Sequence, residues 1–186
     1  MTTQEKNGIT EGVIWKQLLI FFFPILVGSF FQQLYNTVDS VIVGQFVGKE
    51  ALSSVGGSAG QIISLVVGFF TGVSTGATVI ISQYFGAGKK EEIEESLHTA
   101  YAFALVGGLV LGIAGIVFAP QMLRWMNTPE ELIAESVLYV RVYFSGLIFI
   151  FIYNMGAAIL RAVGDSKRPL YYLIVCSVVN IILDLL

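Results

Sequence analysis

This 186-residue chain has one cysteine and one histidine. Cys176 has no partner for an intrachain disulfide and sits in an apolar run, so the sequence carries no record of a redox compartment. His98 stands alone beside an acidic stretch and reads as a solvated helix end. With so few thiols and imidazoles there is no His/Cys metal cluster and no Ser-His-Asp set. Charge is also scarce. Asp, Glu, Lys and Arg fill 12% of the positions, against roughly 25% in soluble domains. The net charge of −3 is too small to draw nucleic acid or an acidic partner. These absences exclude a disulfide scaffold, a zinc module and a nucleic-acid binder, and they leave no enzyme chemistry and no cofactor in view.

What remains is apolar: 55% of residues, with 20 glycines and 14 phenylalanines, at a mean hydropathy of +0.80. A soluble globule cannot hide that much apolar surface, whereas a lipid bilayer solvates it. Crossing the hydrocarbon takes about 20 residues. Five segments qualify, approximately 17–47, 51–83, 99–120, 132–160 and 169–186, following an N-terminal segment 1–12 and forming one bundle over 13–186. Residues 1–17 lack the positive bias and cleavage site of a signal peptide. Pro24 falls inside the first span, where it removes a backbone hydrogen bond and bends the helix. The connections are short and polar, with Asn127, Thr128 and Pro129 as turn and cap signals and Pro169 opening the last helix.

With the N-terminus inside, Lys6, Lys16, Lys89, Lys90, Arg161, Lys167 and Arg168 lie on the inner side. Lys49 and Arg124 lie on the outer side, a clear positive-inside bias. The N-terminus is therefore expected in the cytoplasm of a multi-pass protein of the cell (inner or plasma) membrane. The chain stops inside an apolar run at Asp184-Leu185-Leu186, which reads as a fragment.

Polar residues within spans carry the functional signal. Gln32, Asn36 and Asp39 fall at i, i+4 and i+7, on one helix face. A carboxylate at that depth costs at least a few kcal/mol unless it is protonated, paired or wet, and such residues usually line an ion or substrate path. The plainer alternative puts Asp39 at the outer surface, ten residues before Lys49. Asn180 and Asp184 also share a face, and amide plus carboxylate oxygens suit a hard cation such as Na⁺, or a proton on the carboxylate. Were the two carboxylates to share one site in apolar surroundings, they would not both ionise without a cation, and Na⁺ and H⁺ would compete for them. Asn154 in the fourth span serves either this site or an interhelical hydrogen bond. Tyr139 and Arg141 read as interfacial anchors. Gly86-Ala87-Gly88-Lys89 is not a phosphate loop, because the Walker spacing is broken.

The second span has a small residue at every fourth position: Gly56, Gly60, Ser64, Gly68, Gly72 and Gly76. That spacing makes a smooth face for close helix packing, and Ala104, Gly108 and Gly112 repeat it more weakly in the third.

Taken in order, Pro24, QQLYNTVDSVIVGQFVGKEAL (32–52), SQYFGAGKKEE (82–92), LRAVGDSKRPLYY (160–172) and VVNIILDLL (178–186) resemble the multidrug and toxic compound extrusion (MATE) family of bacterial transporters. The resemblance covers nearly the whole chain from about residue 13. It implies an all-α fold of twelve transmembrane helices in two six-helix lobes, of which this chain holds the first five helices of the N-lobe. Helix six and the C-terminal lobe would complete the transporter. It implies a secondary antiporter that exports organic, often cationic compounds or drugs in exchange for Na⁺ or H⁺. By the same resemblance Asp39, Asn180 and Asp184 match a cation-binding, coupling site. Asn154 matches a cavity-lining residue, with Gln32 and Asn36 on the face of Asp39, and Pro24 matches a helix-bending proline. A flippase of lipid-linked precursors in the same superfamily is the nearest alternative. An intramembrane aspartyl protease is a distant one, since Asp184 sits in NIILD rather than a glycine-flanked motif.

Overall fold

The computed structural model describes residues 13–184, apart from the side chains of Val47, Lys49, Glu50, Ala51 and Asp184. Helices occupy almost all of them. In chain order they are α1 (Ile14–Ile42), α2 (Lys49–Gly56), α3 (Ser58–Gly86), α4 (Lys90–Trp125), α5 (Glu130–Ser145), α6 (Leu147–Ala162) and α7 (Lys167–Asp184), with a π-helical turn at Val43–Val47 after α1. The chain is an all-α integral membrane bundle. Leu65 is 72% and Phe149 73% exposed. Apolar side chains bared to that extent along several helices are stable against lipid rather than water.

Three helical stretches are long and apolar enough to cross a membrane, Ile14–Phe46, Leu52–Gly86 and Lys90–Trp125; α5 and α6 together form a fourth. The expected fifth span is α7. Its 18 described residues include Lys167, Arg168 and Asp184, and within them it falls short of that measure.

The elements differ from the sequence reading in three places. The second span is interrupted at Gly57, and the fourth breaks at Gly146, where α5 and α6 meet at 49°. Both breaks fall at adjacent glycine and serine, Gly57-Ser58 and Ser145-Gly146, pairs at which helices commonly kink. The third span was expected to end at Pro120, but α4 runs on through that proline to Trp125 and begins nine residues earlier than position 99, at Lys90. The run 89–95 is therefore the exposed first turns of α4. Ion pairs Lys89–Glu92 at 3.2 Å and His98–Glu94 at 3.8 Å lie along it, and each contributes no more than tenths of a kcal/mol.

Pro120 illustrates how the helix tolerates the insult. A proline cannot donate to the carbonyl four residues back, here Ile116. Arg141 Nε donates to that oxygen instead, at 3.1 Å. Arg141 thus ties α5 to α4. Arg141→Leu should lower stability by about 1 kcal/mol. In a Pro120→Ala background, where the backbone supplies the donor, most of that loss should vanish. A double-mutant cycle on thermal unfolding in detergent reads the coupling; two additive losses would contradict the replacement.

The turns follow known capping chemistry. Gly88, Asn127 and Gly164 adopt positive φ, at 71°, 53° and 90°. At each, the next N–H reaches back to close the helix end: Lys89 N to Tyr84 O, Thr128 N to Leu123 O, and Asp165 N to Leu160 O. This is the Schellman arrangement that Gly and Asn favour. Asp165 Oδ1 then accepts from the Lys167 and Arg168 N–H groups, both at 3.1 Å. Pro169 sits inside that first turn, where a missing donor costs nothing.

Direction follows from pairs of contacts. Ser136 Oγ donates to Ser54 O, and Thr78 Oγ1 reaches Ala158 O at 3.4 Å, so α2–α3 and α5–α6 run parallel. Between them α4 runs the other way, and its small face seats the α5–α6 bend. A Cβ on Gly108 would lie 2.9 Å from the Ile148 Cα, and one on Gly115 would overlap the Phe144 ring. The core closes on an aromatic stack in which Phe70 and Phe151 rings are 3.6 Å apart and nearly parallel, with Phe103 on the other side of Phe70. By contrast, a Cβ built on Gly56, Gly68, Gly72 or Gly76 has nothing within 4 Å among the described residues. Of the two small-residue rows, the weaker one in the third span makes the tight interface.

Candidate ion and substrate site

The α1 helix carries its polar face near the end away from the α3–α4 and α6–α7 turns. Asp39 lies in the last turn before the helix widens. Val43 N–H is shared between the Asp39 and Ser40 carbonyls, and Gly48 N–H then bonds Val43 O across a π turn. Gly48 ends that turn at φ 118° and ψ 172°, a conformation confined to glycine. Such π turns often mark functional positions in helices. The sequence reading passed over this one; its signal was Gly44 and Gly48 just beyond an intramembrane acid.

Asp39 is partly buried and its Oδ1 is fully covered. It lies within electrostatic reach of Tyr139 on α5. Tyr35, one turn earlier, stands in the same relation to Tyr143 and to Tyr153 of α6. Tyr139, Tyr143 and Tyr153 thus lie on the side of the bundle toward the 35/39 edge of α1. Gln32 and Asn36 are exposed, and Asn36 O accepts the Ser40 hydroxyl at 2.8 Å. Pro24 is buried inside α1.

Helices α1 and α7 pack along each other. Gly28 faces α7: a Cβ built on it would make ordinary contacts with Leu173 at 3.5 Å and Leu170 at 3.6 Å. Asn180 is partly buried on α7, and its Oδ1 is covered and accepts no hydrogen bond among the described residues. Asp184 ends the described part of α7, and its side chain lies outside the described residues. Among the described residues no three His, Cys, Asp or Glu side chains come together.

Asn154 is elsewhere. Its amide Nδ2 donates to Ile150 O at 2.8 Å. It lines a cavity of about 330 Å³ between α1, α3 and α6, together with Phe21, Ser74, Thr75, Thr78 and Arg161. Neither Asp39 nor Asn180 borders that cavity. The sequence reading missed its hydroxyl wall. Thr71, Thr75, Thr78 and Ser82 recur at i, i+4, i+7 and i+11, a polar stripe beside the glycines that drew attention. A second cleft of about 550 Å³ opens between α3 and α4, lined among others by Tyr84, Glu92, Glu95 and Phe103.

Comparison with known proteins agrees with this architecture. The probable multidrug resistance protein YoeA of Bacillus subtilis (strain 168) is 33% identical over 183 residues, covering 98% of this chain and 39% of that protein. Its YpnP counterpart is 34% identical over 177 residues, covering 94% and 39%. A solved structure, the outward-facing conformation of a multidrug resistance MATE family transporter of the MOP superfamily, superposes with a TM-score of 0.90 at 26% identity, over 99% of this chain and 40% of that one. The chain thus spans about 40% of the length of the relatives it matches. The MatE family model fits residues 24–186. With a helical membrane bundle and a model match over all but the first 23 residues, the chain belongs to the MatE family.

Proposed function

We propose that this chain supplies the ion-binding helices of a secondary antiporter that exports organic, often cationic compounds in exchange for Na⁺ or H⁺. The observation that carries the reading is the pairing of α1 with α7. Three crossings separate the two helices, so they run parallel, and Gly28 lies beside Leu170 and Leu173. Eleven residues on from Gly28 is Asp39; eleven on from Leu170 and Leu173 are positions 181 and 184. At equal rise per residue these reach the same depth. Asp39, Asn180 and Asp184 would then offer oxygens from two helices to one cation, in surroundings where bare carboxylates are costly.

In the same reading the end carrying Lys89, Lys90, Arg161, Lys167 and Arg168 is cytoplasmic, as the basic bias favours. The test combines both parts. In cells expressing the complete transporter with Cys176→Ala, an impermeant maleimide should label Glu130→Cys from outside and spare Lys167→Cys. In proteoliposomes, an imposed Na⁺ or H⁺ gradient should drive movement of a fluorescent organic cation. External labelling of Lys167→Cys would invert the orientation, and movement indifferent to both gradients would end the antiporter reading.

A further inference from the structure

The cavity between α1, α3 and α6 has a chemistry of its own. Thr71, Thr75, Thr78 and Ser82 each donate their one hydroxyl proton to a carbonyl of α3, at 2.8, 2.8, 2.9 and 2.9 Å. The Asn154 amide likewise donates to its own helix. The four hydroxyls therefore present only lone pairs to the cavity, and Asn154 offers its Oδ1 and one remaining amide N–H. Two further groups keep their donors. Ser74 is 4% exposed, and its Oγ has no hydrogen-bond partner among the described residues. Arg161 is half-buried, and no carboxylate lies within ion-pair distance of it among the described residues, where the ion pairs are Lys89–Glu92, His98–Glu94 and Arg168–Asp165.

A guanidinium out of bulk water needs an acceptor, and its fork of N–H groups matches a carboxylate, sulfonate or phosphate. We propose that this cavity binds a small organic oxyanion, with the acidic group on Arg161 and a body bearing hydrogen-bond donors laid along the α3 hydroxyls toward Ser74. The register of the two walls fixes the length. Thr78 is level with Ala158, so Ser74 is level with Asn154, and Arg161 lies seven residues further along α6. That is about 10 Å at the helical rise. A volume of about 330 Å³ suits one small molecule of that length and is too small for a diacyl lipid. This site does not depend on whether Asp39 couples an ion.

Dansylglycine, an aromatic carboxylate with one N–H donor, is a suitable fluorescent probe, and its methyl ester is the uncharged control. Binding is measured to the complete protein in phosphatidylcholine nanodiscs. The wild type should prefer the acid over the ester by about tenfold or more. Arg161→Gln should bring that ratio close to one, and Arg161→Lys should keep most of it. Thr75→Leu fills the cavity from the opposite wall and should weaken acid and ester alike. An unchanged ratio in Arg161→Gln, or unchanged affinities in Thr75→Leu, would overturn the proposal. If Arg161→Gln does not fold, Arg161→Lys and Thr75→Leu decide it. Repeating the titration with phosphatidylglycerol in the nanodiscs should leave the affinity unchanged. Displacement of the probe would instead give the site to an acidic lipid headgroup and overturn the small-acid reading.

Discussion

Asp39→Asn in the complete transporter is expected to insert and assemble normally, yet to lose gradient-driven efflux, falling to the level of protein-free vesicles. The substitution keeps the size and hydrogen-bonding capacity of the side chain and removes only the charge that a cation or proton would neutralise. Its position explains the size of the effect. A carboxylate whose Oδ1 is buried is retained at a cost of a few kcal/mol at least. In the proposed antiporter that cost is offset when the group is loaded with a cation in part of the cycle. Loss of the charge leaves nothing for the ion gradient to act upon, so the defect is in coupling rather than in folding. The measurement is dye efflux from proteoliposomes under imposed Na⁺ and H⁺ gradients, with size-exclusion profiles to confirm assembly. Wild-type rates in Asp39→Asn under every gradient would remove Asp39 from the site.

Gly115→Val should be the most damaging glycine substitution in the bundle. Any Cβ at that position overlaps the Phe144 ring, and Phe144 is only 3% exposed with no room to retreat. Overpacking of this kind costs about 1–3 kcal/mol, and the α5–α6 bend must move to relieve it. Gly108→Val should behave similarly, because its clash is with the Ile148 backbone. Gly72→Val meets nothing within 4 Å and should leave unfolding in detergent nearly unchanged. A partial rescue of Gly115→Ala by Phe144→Leu would show that the ring, and not helix propensity, sets the cost. Equal losses for Gly72→Val and Gly115→Val would mean that the packing assigned to α4 is wrong.

These two cases show what the sequence could and could not convey. The apolar runs and polar turns made the helical membrane bundle legible, because a bilayer admits few other ways to satisfy buried backbone groups. Asn127 and the Gly-bearing turns were legible for the same local reason, since few residues tolerate positive φ. The tight helix face was misjudged. Spacing alone ranks the six-residue row of the second span above Ala104, Gly108 and Gly112, but closeness depends on which side a neighbour lies. The breaks at Gly57 and Gly146 were hidden because glycines are common in membrane helices, and only tertiary contact tells a kink from a smooth face. Arg141 escaped for a related reason: its partner is the Ile116 carbonyl orphaned by Pro120, 25 positions away in the chain and on another helix. Asp39 stood out because an acid in an apolar run needs an explanation. Arg161 did not, because a basic residue near a turn already had one in the orientation of the chain.

The central claim is that Na⁺ and H⁺ compete for one set of oxygens that includes Asp39. It is tested most directly by adding Na⁺ to the purified complete transporter in lightly buffered solution and following the pH. If a proton and Na⁺ exclude one another at this site, Na⁺ should release protons from the wild type, more of them where the carboxylates start protonated. Asp39→Asn should release few or none. Proton release from Asp39→Asn equal to that of the wild type, or Na⁺ binding to the wild type with no proton released at any starting pH, would contradict the account.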